Sequence, residues 1–420
     1  MHQKTTLDNG LRIVTTTMPH TRSVSVCVFI GVGSRYESEE QAGISHFIEH
    51  LLFKGTSKRA TSREISETIE GVGGGLNGGT DKEVTLYWAR VTKPHFRLAL
   101  DVLVDILLHS RFDPGDIEKE RQVIIEEMHM TKDSPSQQVH MLIDEILWPG
   151  HPLGRDIAGT KESMATITRD MMLDYLGTKY LPGNTVVAIT GNIPHQEAVD
   201  AVSQATGSWS NQQSCPEYSA YKEQPNPRLL IERRDTEQAH LCLALPGLPL
   251  LDPRRFTLDL INVILGEGMS SRLFTEIRDK LGLAYSIHSY NDHLLDSGSF
   301  TVYAGVEPGN LPVVIRAITE QLSLLKEPIP GAEVTKAKEL SKGRLLLRTE
   351  DTRSVAGWMG GQEVHTGNIL TVDEVVSIID AITTDQLNEL ARELIVGENL
   401  RLAVVGPVDE GESLEELLKL

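Results

Sequence analysis

Residues 46–50 read His-Phe-Ile-Glu-His, which puts two imidazoles and a carboxylate within five residues. The chain around them is apolar, with Ile44, Phe47, Ile48, Leu51, Leu52 and Phe53, and reads as a helix over 43–53. At roughly 100° per residue, His46, Glu49 and His50 share one face of that helix. A helix that is apolar nearly all round is a buried one. Polar groups buried there without partners would cost roughly 2–7 kcal/mol each. A zinc ion held by the two imidazoles, with the carboxylate beside it, meets the need. A pair of hydrogen-bonded core histidines is the other reading of these five residues.

Catalytic zinc takes three protein ligands and leaves one position open, so a further ligand is expected elsewhere. The candidate stretch runs from Asp113 to Met130. Asp113 suits an N-cap and Pro114 the first helical position, while Asp116 and Glu118 suit the positive end of the dipole. Asp133-Ser-Pro135 marks the stop. Glu120 and Glu127 are seven residues apart and project from one stripe. Val123 and Ile124 read as part of that stripe, which is therefore expected to face inward. Two carboxylates on an inward face call for a cation. Glu127 is the expected third metal ligand, with Glu120 about two turns away as a group that orients or tunes a ligand. Glu126 falls off the stripe.

Together, His46-Phe-Ile-Glu49-His50 and Glu127 within Glu120-Arg-Gln-Val-Ile-Ile-Glu-Glu resemble the inverted zincins of the pitrilysin/insulinase family of zinc peptidases. The mitochondrial-processing-peptidase-like branch is the nearest in pattern. Leu76-Asn77, Tyr87, His151-Pro-Leu-Gly154, Gly159-Thr160 and the run from Ser270 through Arg278 to Gly282-Leu-Ala-Tyr285 match as well. The resemblance spans essentially the whole chain. It implies a bacterial zinc endopeptidase with one Zn2+ per chain on His46, His50 and Glu127, and Glu49 as the general base for a zinc-activated water. It implies that Arg278 and Tyr285 face the zinc across a closed chamber, as donors to the substrate or its oxyanion. It also implies that Leu76, Asn77, Gly78, Gly79 and Thr80 form an edge strand that pairs with an extended peptide and reads main chain more than sequence. Gly78, Gly79 and Asp81 depart from the residues usual there. Taken alone, Arg278 and Tyr285 read as a surface arginine and a tyrosine packed on a sheet.

An internal repeat organises the chain. Tyr180-Leu-Pro-Gly-Asn184 followed by Thr-Val-Val-Ala-Ile-Thr-Gly191 answers Leu394 to Gly406, an offset of 215 residues. Ser23 to Gly31 likewise resembles Ala239 to Gly247. A period this long means two like domains. Alternating strands mixed with long amphipathic helices give an α+β class, as two homologous α/β sandwiches of mostly antiparallel sheet packed on helices. The expected division is 1–210 for the zinc-bearing domain, 211–228 for a polar, proline-containing linker, and 229–420 for a domain carrying the Arg/Tyr pair. The second half has no histidine in the helix answering His46–His50, so it cannot build the same site.

Hydrophobic content of 40% and charged content of 24% are those of a soluble globular protein. The net charge of −19 argues against nucleic acid and anionic membrane as partners. Cys27, Cys215 and Cys242 are too few and too dispersed for a disulfide framework, which fits a reducing compartment. With no leader or long apolar run, the reading is cytoplasmic. Larger relatives hold four such domains in one chain. Two domains per chain therefore imply a homodimer acting on peptides, with the site shared between chains. The alternative is a catalytically silent structural or peptide-binding relative.

Overall fold

Two sheets of one topology form the frame, one in each half of the chain. The computed structural model describes residues 2–210, 216–408 and 414–420. Cys215 and most of the first third of the expected linker, 211–215, lie outside them. The first sheet contains β1 (Gln3–Thr6), β2 (Arg12–Thr17), β3 (Ser23–Ile30), β4 (Gly75–Thr80), β5 (Thr85–Thr92) and β6 (Thr185–Gly191). Its order is β1-β2-β6-β3-β5-β4, with β2 and β6 parallel and the other neighbours antiparallel. The second contains β7 (Leu229–Arg233), β8 (Ala239–Pro246), β9 (Ala284–His293), β10 (Gly298–Val306) and β11 (Arg401–Gly406), in the order β7-β11-β8-β10-β9. Only β7 and β11 are parallel there. Setting β1 aside, the two orders are identical, including the one parallel pair. The repeat seen in the sequence is thus a repeat of topology.

The helices that matter for the site are α1 (Ile44–Leu52), α2 (Ser62–Glu70), α3 (Phe96–His109), α4 (Pro114–Asp133) and α5 (Pro135–Leu147). The strands at the sheet centres do not alternate as expected. From Val24 onward every residue of β3 is buried, as is every residue of β6. That pattern belongs to strands covered on both faces. One face of the first sheet meets α1 and α3 in the main core, through residues such as Val26, Ile44, Phe47, Leu103 and Ile189. The other face, with Val14, Cys27, Phe29 and Ala188, is closed by the helix Thr352–Thr366 through Ala356 and Met359.

The second sheet has a matching cover. Val139, Leu142, Ile143 and Ile146 of α5 pack on Cys242, Ala244, Ala403 and Val405. Each compact unit therefore borrows one helix from the other half of the sequence. The first comprises Met1–Met128, Asp156–Ser219 and Leu346–Thr371, and the second His129–Arg155, Ala220–Leu345 and Val372–Leu420. Cys27 and Cys242 are buried on these covered faces as small core residues, and burial pushes the Cys27 thiol up to about 12.

The borrowed helix over the first sheet comes very close. A Cβ on Gly360 would lie 2.1 Å from Cε2 of Phe29. Gly360→Ala should therefore lower stability by about 1–3 kcal/mol through overpacking. Urea unfolding reads this as a lower midpoint at unchanged slope; an unchanged midpoint would show that the helix can shift at no cost.

Candidate metal centre

The first turn of α1 has no cap of its own. Glu37, buried, accepts hydrogen bonds from the backbone N–H of Gly43 at 2.7 Å and of Ser45 at 2.8 Å. A carboxylate there satisfies orphan donors and suits the positive end of the helix. The opposite wall is α4. Its Arg121 donates to the carbonyls of Met164 and Ile167, and its guanidinium carbon lies 5.4 Å from the Phe47 ring centroid on α1. The buried residues of α4 are Ile117, Glu120 and Ile124, and Glu127 continues the same row. Val123, expected on that stripe, is 42% exposed. The row advances by three and four residues, as the helical period requires, and leaves Val123 to one side.

The two helices bring three donors together. Nε2 of His46 and Nε2 of His50 are 3.2 Å apart. An oxygen of Glu127 lies 3.8 Å from the first and 3.5 Å from the second. Donors about 2.0–2.1 Å from a tetrahedral zinc ion are about 3.3 Å from one another, so the triangle fits that ion. Among the described residues this is the only group of three or more His, Cys, Asp or Glu donors so close together. Glu126, the neighbouring carboxylate, is exposed and not part of it.

The surroundings favour lone pairs pointing inward. Nδ1 of His50 is 3.1 Å from Glu120, whose other oxygen accepts from Lys54 Nζ at 2.6 Å. A proton on Nδ1 donated to that carboxylate leaves Nε2 as the free donor atom, and Lys54 offsets the buried charge. Burial, helped by the neighbouring His50, pushes His46 down to about 4, so its imidazole is neutral at neutral pH. Nδ1 of His46 is buried without a hydrogen-bond partner among the described residues. Glu49 lies on the same face of α1, and one of its oxygens accepts from the Thr80 hydroxyl at 2.6 Å. Burial raises the Glu49 carboxyl above its ordinary range, and hydrogen bonding from Thr80 pulls it part of the way back.

Relatives with the same length of chain settle what this arrangement belongs to. An uncharacterized zinc protease of Bacillus subtilis, YmxG, is 38% identical over 97% of this chain and 98% of its own length. An uncharacterized zinc protease of Mycobacterium leprae is 38% identical over 99% of this chain and 94% of its own. The chain belongs to the insulinase family, peptidase family M16. Residues 12–161 match the family described as Insulinase (Peptidase family M16), and residues 166–341 match the Peptidase M16 inactive domain. A protease from Helicobacter pylori has the same fold, with a TM-score of 0.90 at 23% identity, over 96% of this chain and 99% of that one. So does a chain of complex III2 from Candida albicans, with a TM-score of 0.82 at 20% identity over the full length of both. A shared fold does not specify an activity; the side chains placed on it do.

The remaining expected residues lie apart from the three donors in sequence and element. Leu76 to Thr80 form β4, which is the edge strand of the first sheet and is paired only with β5. Arg278 and Tyr285 belong to the second unit. Arg278 lies in the last turn of a π-helical segment, Phe274–Lys280, with its guanidinium 4.6 Å from the Phe274 ring centroid and 5.4 Å from that of Tyr285. Ala284 pairs with Val306 and Ser286 with Gly305, so Tyr285 is the extra residue of a β-bulge on the edge strand β9. Its side chain is 77% exposed, and bulges commonly re-aim a side chain in this way. Glu37, Lys54 and the Thr80 contact were not anticipated from the sequence. Of these only Lys54 left a signal, four residues after His50.

Loss of the Glu120 partner should be felt through the metal. Glu120→Gln should weaken zinc affinity about 10- to 100-fold, measured by competition with a chromophoric chelator. Unchanged affinity would make the His50–Glu120 contact incidental to metal binding.

Proposed function

We propose that this chain is a zinc-dependent endopeptidase that hydrolyses unfolded peptides or presequence-like segments, with Glu49 as its general base. The observation that carries the reading is the triangle of His46, His50 and Glu127, with the Glu49 carboxylate on the same helical face. Two imidazoles and one carboxylate, with a fourth position left open, is the donor set of a catalytic zinc site. Zinc, when bound there, supplies Lewis acidity toward water and the scissile carbonyl. Glu49 takes the proton of the attacking water and passes it to the leaving amine. Glu120 holds the His50 ring in register.

Substrate recognition in this reading falls to β4. Its free edge offers main-chain donors and acceptors to an extended peptide at Leu76, Asn77, Gly78, Gly79 and Thr80. Arg278 and Tyr285 would donate to the substrate or its oxyanion. Residues 1–210 would then be the zinc-bearing half and 229–420 the half with the Arg/Tyr pair, joined through 211–228. Two such chains would complete one another as a homodimer with two shared sites. Among the described residues no helix is long and apolar enough to cross a membrane; a cytoplasmic location belongs to the same proposal. A silent structural relative is the competing reading, and the likeness to a complex III2 chain fits it. Retention of all three donors and of Glu49 speaks for the enzyme.

Separation of roles along one helix gives the first test. His46→Ala, His50→Ala and Glu127→Ala should each lose metal, whereas Glu49→Gln should keep it and lose cleavage of a quenched peptide. Full zinc content in Glu127→Ala would move the third ligand elsewhere. Sharing of the site is tested by mixing Glu49→Gln chains with Tyr285→Phe chains. A mixed dimer has one site with both defects and one with neither, so activity should recover to roughly a quarter of the wild-type level with statistical pairing. No recovery despite measured subunit exchange would place the pair in cis or outside the reaction.

A further inference from the structure

The base has a mechanical attachment to the substrate-binding strand. β4 alternates, with Leu76, Gly78 and Thr80 less exposed than Asn77 and Gly79. Two of the inward residues touch Glu49. A Cβ on Gly78 would lie 3.2 Å from Cγ of Glu49 and 3.1 Å from Phe53, so only glycine lets the strand sit this close without displacing something. Thr80, the last residue of β4, donates its hydroxyl to a Glu49 oxygen at 2.6 Å. That length is typical of an O–H donor on an ionised carboxylate. The Thr80 backbone N–H adds a second favourable interaction with the same carboxylate.

A glutamate side chain has three torsions and loses about 1.5–2 kcal/mol of rotamer freedom when fixed. Gly78 leaves room for Cγ, and Thr80 reaches the carboxylate through its hydroxyl. Threonine is stiff at χ1 because of its branched Cβ, so the position of its hydroxyl is set by the β4 backbone. That backbone is paired on one side, to β5, with Thr80 opposite Thr85 and Gly78 opposite Tyr87. A peptide added along the free edge would pair the other side.

We infer that Thr80 is the positioning residue of Glu49: it holds the carboxylate and ties the orientation of the base to the strand on which the peptide docks. This rests on the peptidase reading above. Specific main-chain docking on β4 then does more than bind, because it steadies the hydroxyl that steadies the base. The residue acts through Glu49 and not on the substrate, so its effect belongs in turnover more than in affinity.

Thr80→Val removes the hydroxyl and keeps the branched shape, while Thr80→Ser keeps the hydroxyl. Thr80→Val should retain the zinc content of the wild type and lose about tenfold or more in kcat on a quenched peptide, as expected when the base is no longer held in line with the proton it takes. Its KM should stay within about twofold, since uniform binding is untouched. Thr80→Ser should recover most of the kcat. Unchanged kcat in Thr80→Val, equal losses in both variants, or loss of zinc would each overturn the inference. A second arm needs no turnover. In the metal-free protein, Thr80→Val should lower the Tm when Glu49 is present and leave it unchanged in a Glu49→Ala background; additive shifts would remove the contact itself. If the wild type shows no zinc-dependent cleavage, the peptidase reading fails, and the Tm cycle still decides whether Thr80 holds Glu49.

Discussion

Two imidazole nitrogens 3.2 Å apart, faced by a carboxylate oxygen at 3.5 and 3.8 Å, impose a condition that the rest of the first unit is built to meet. Lone pairs and negative charge converge on one point, in a half-buried site where repulsion is poorly screened. A divalent cation turns that repulsion into binding energy. The surrounding structure is then a set of braces. Glu37 anchors the start of α1, Arg121 ties α4 to α1 and to carbonyls at the end of the short helix Lys161–Thr166, and Glu120 with Lys54 fixes the rotation of one ring. None of these groups is a ligand, yet each removes a freedom that would widen the triangle.

The two halves show how one topology supports unequal chemistry. Both sheets end in an edge strand, β4 in one and β9 in the other, reached by the same strand order. In the first half the neighbouring helix carries His46, Glu49 and His50. In the second, the equivalent helix Arg255–Gly266 carries Leu258, Leu260, Ile261 and Ile264 in the core and no imidazole. The second edge is specialised differently, by a bulge that exposes Tyr285 beside Arg278. The match of 166–341 to the Peptidase M16 inactive domain takes in β7 to β10 of the second sheet and also β6 of the first.

Much of the site was legible because it rests on residue types and helical spacing. His46, Glu49 and His50 share a face by arithmetic alone, and Glu127 follows from its seven-residue distance to Glu120. The placement of Val123 failed because a stripe inferred from two glutamates does not fix its own width. The matched stretches Ser23–Gly31 and Ala239–Gly247 were legible as a repeat and fall on β3 and β8, whereas the exchange of covering helices was not. The buried row of Thr352–Thr366 is Thr352, Ala356, Met359, Gly360 and Glu363, too polar and too small to announce a core face. The hydrogen bond between Thr80 and Glu49 spans 31 residues and depends on the register of β4, which no local pattern encodes.

The central claim is that α1 and α4 together hold one zinc ion on two imidazoles and a carboxylate. Zinc K-edge X-ray absorption on the purified wild-type protein, with metal quantified in the same sample, tests it most directly. The account predicts close to one zinc per chain, a shell of nitrogen and oxygen scatterers at about 2.0–2.1 Å with the outer-shell signature of two imidazoles, and no sulfur. A sulfur shell at about 2.3 Å, a single imidazole, or protein that binds no zinc under saturating conditions would contradict it.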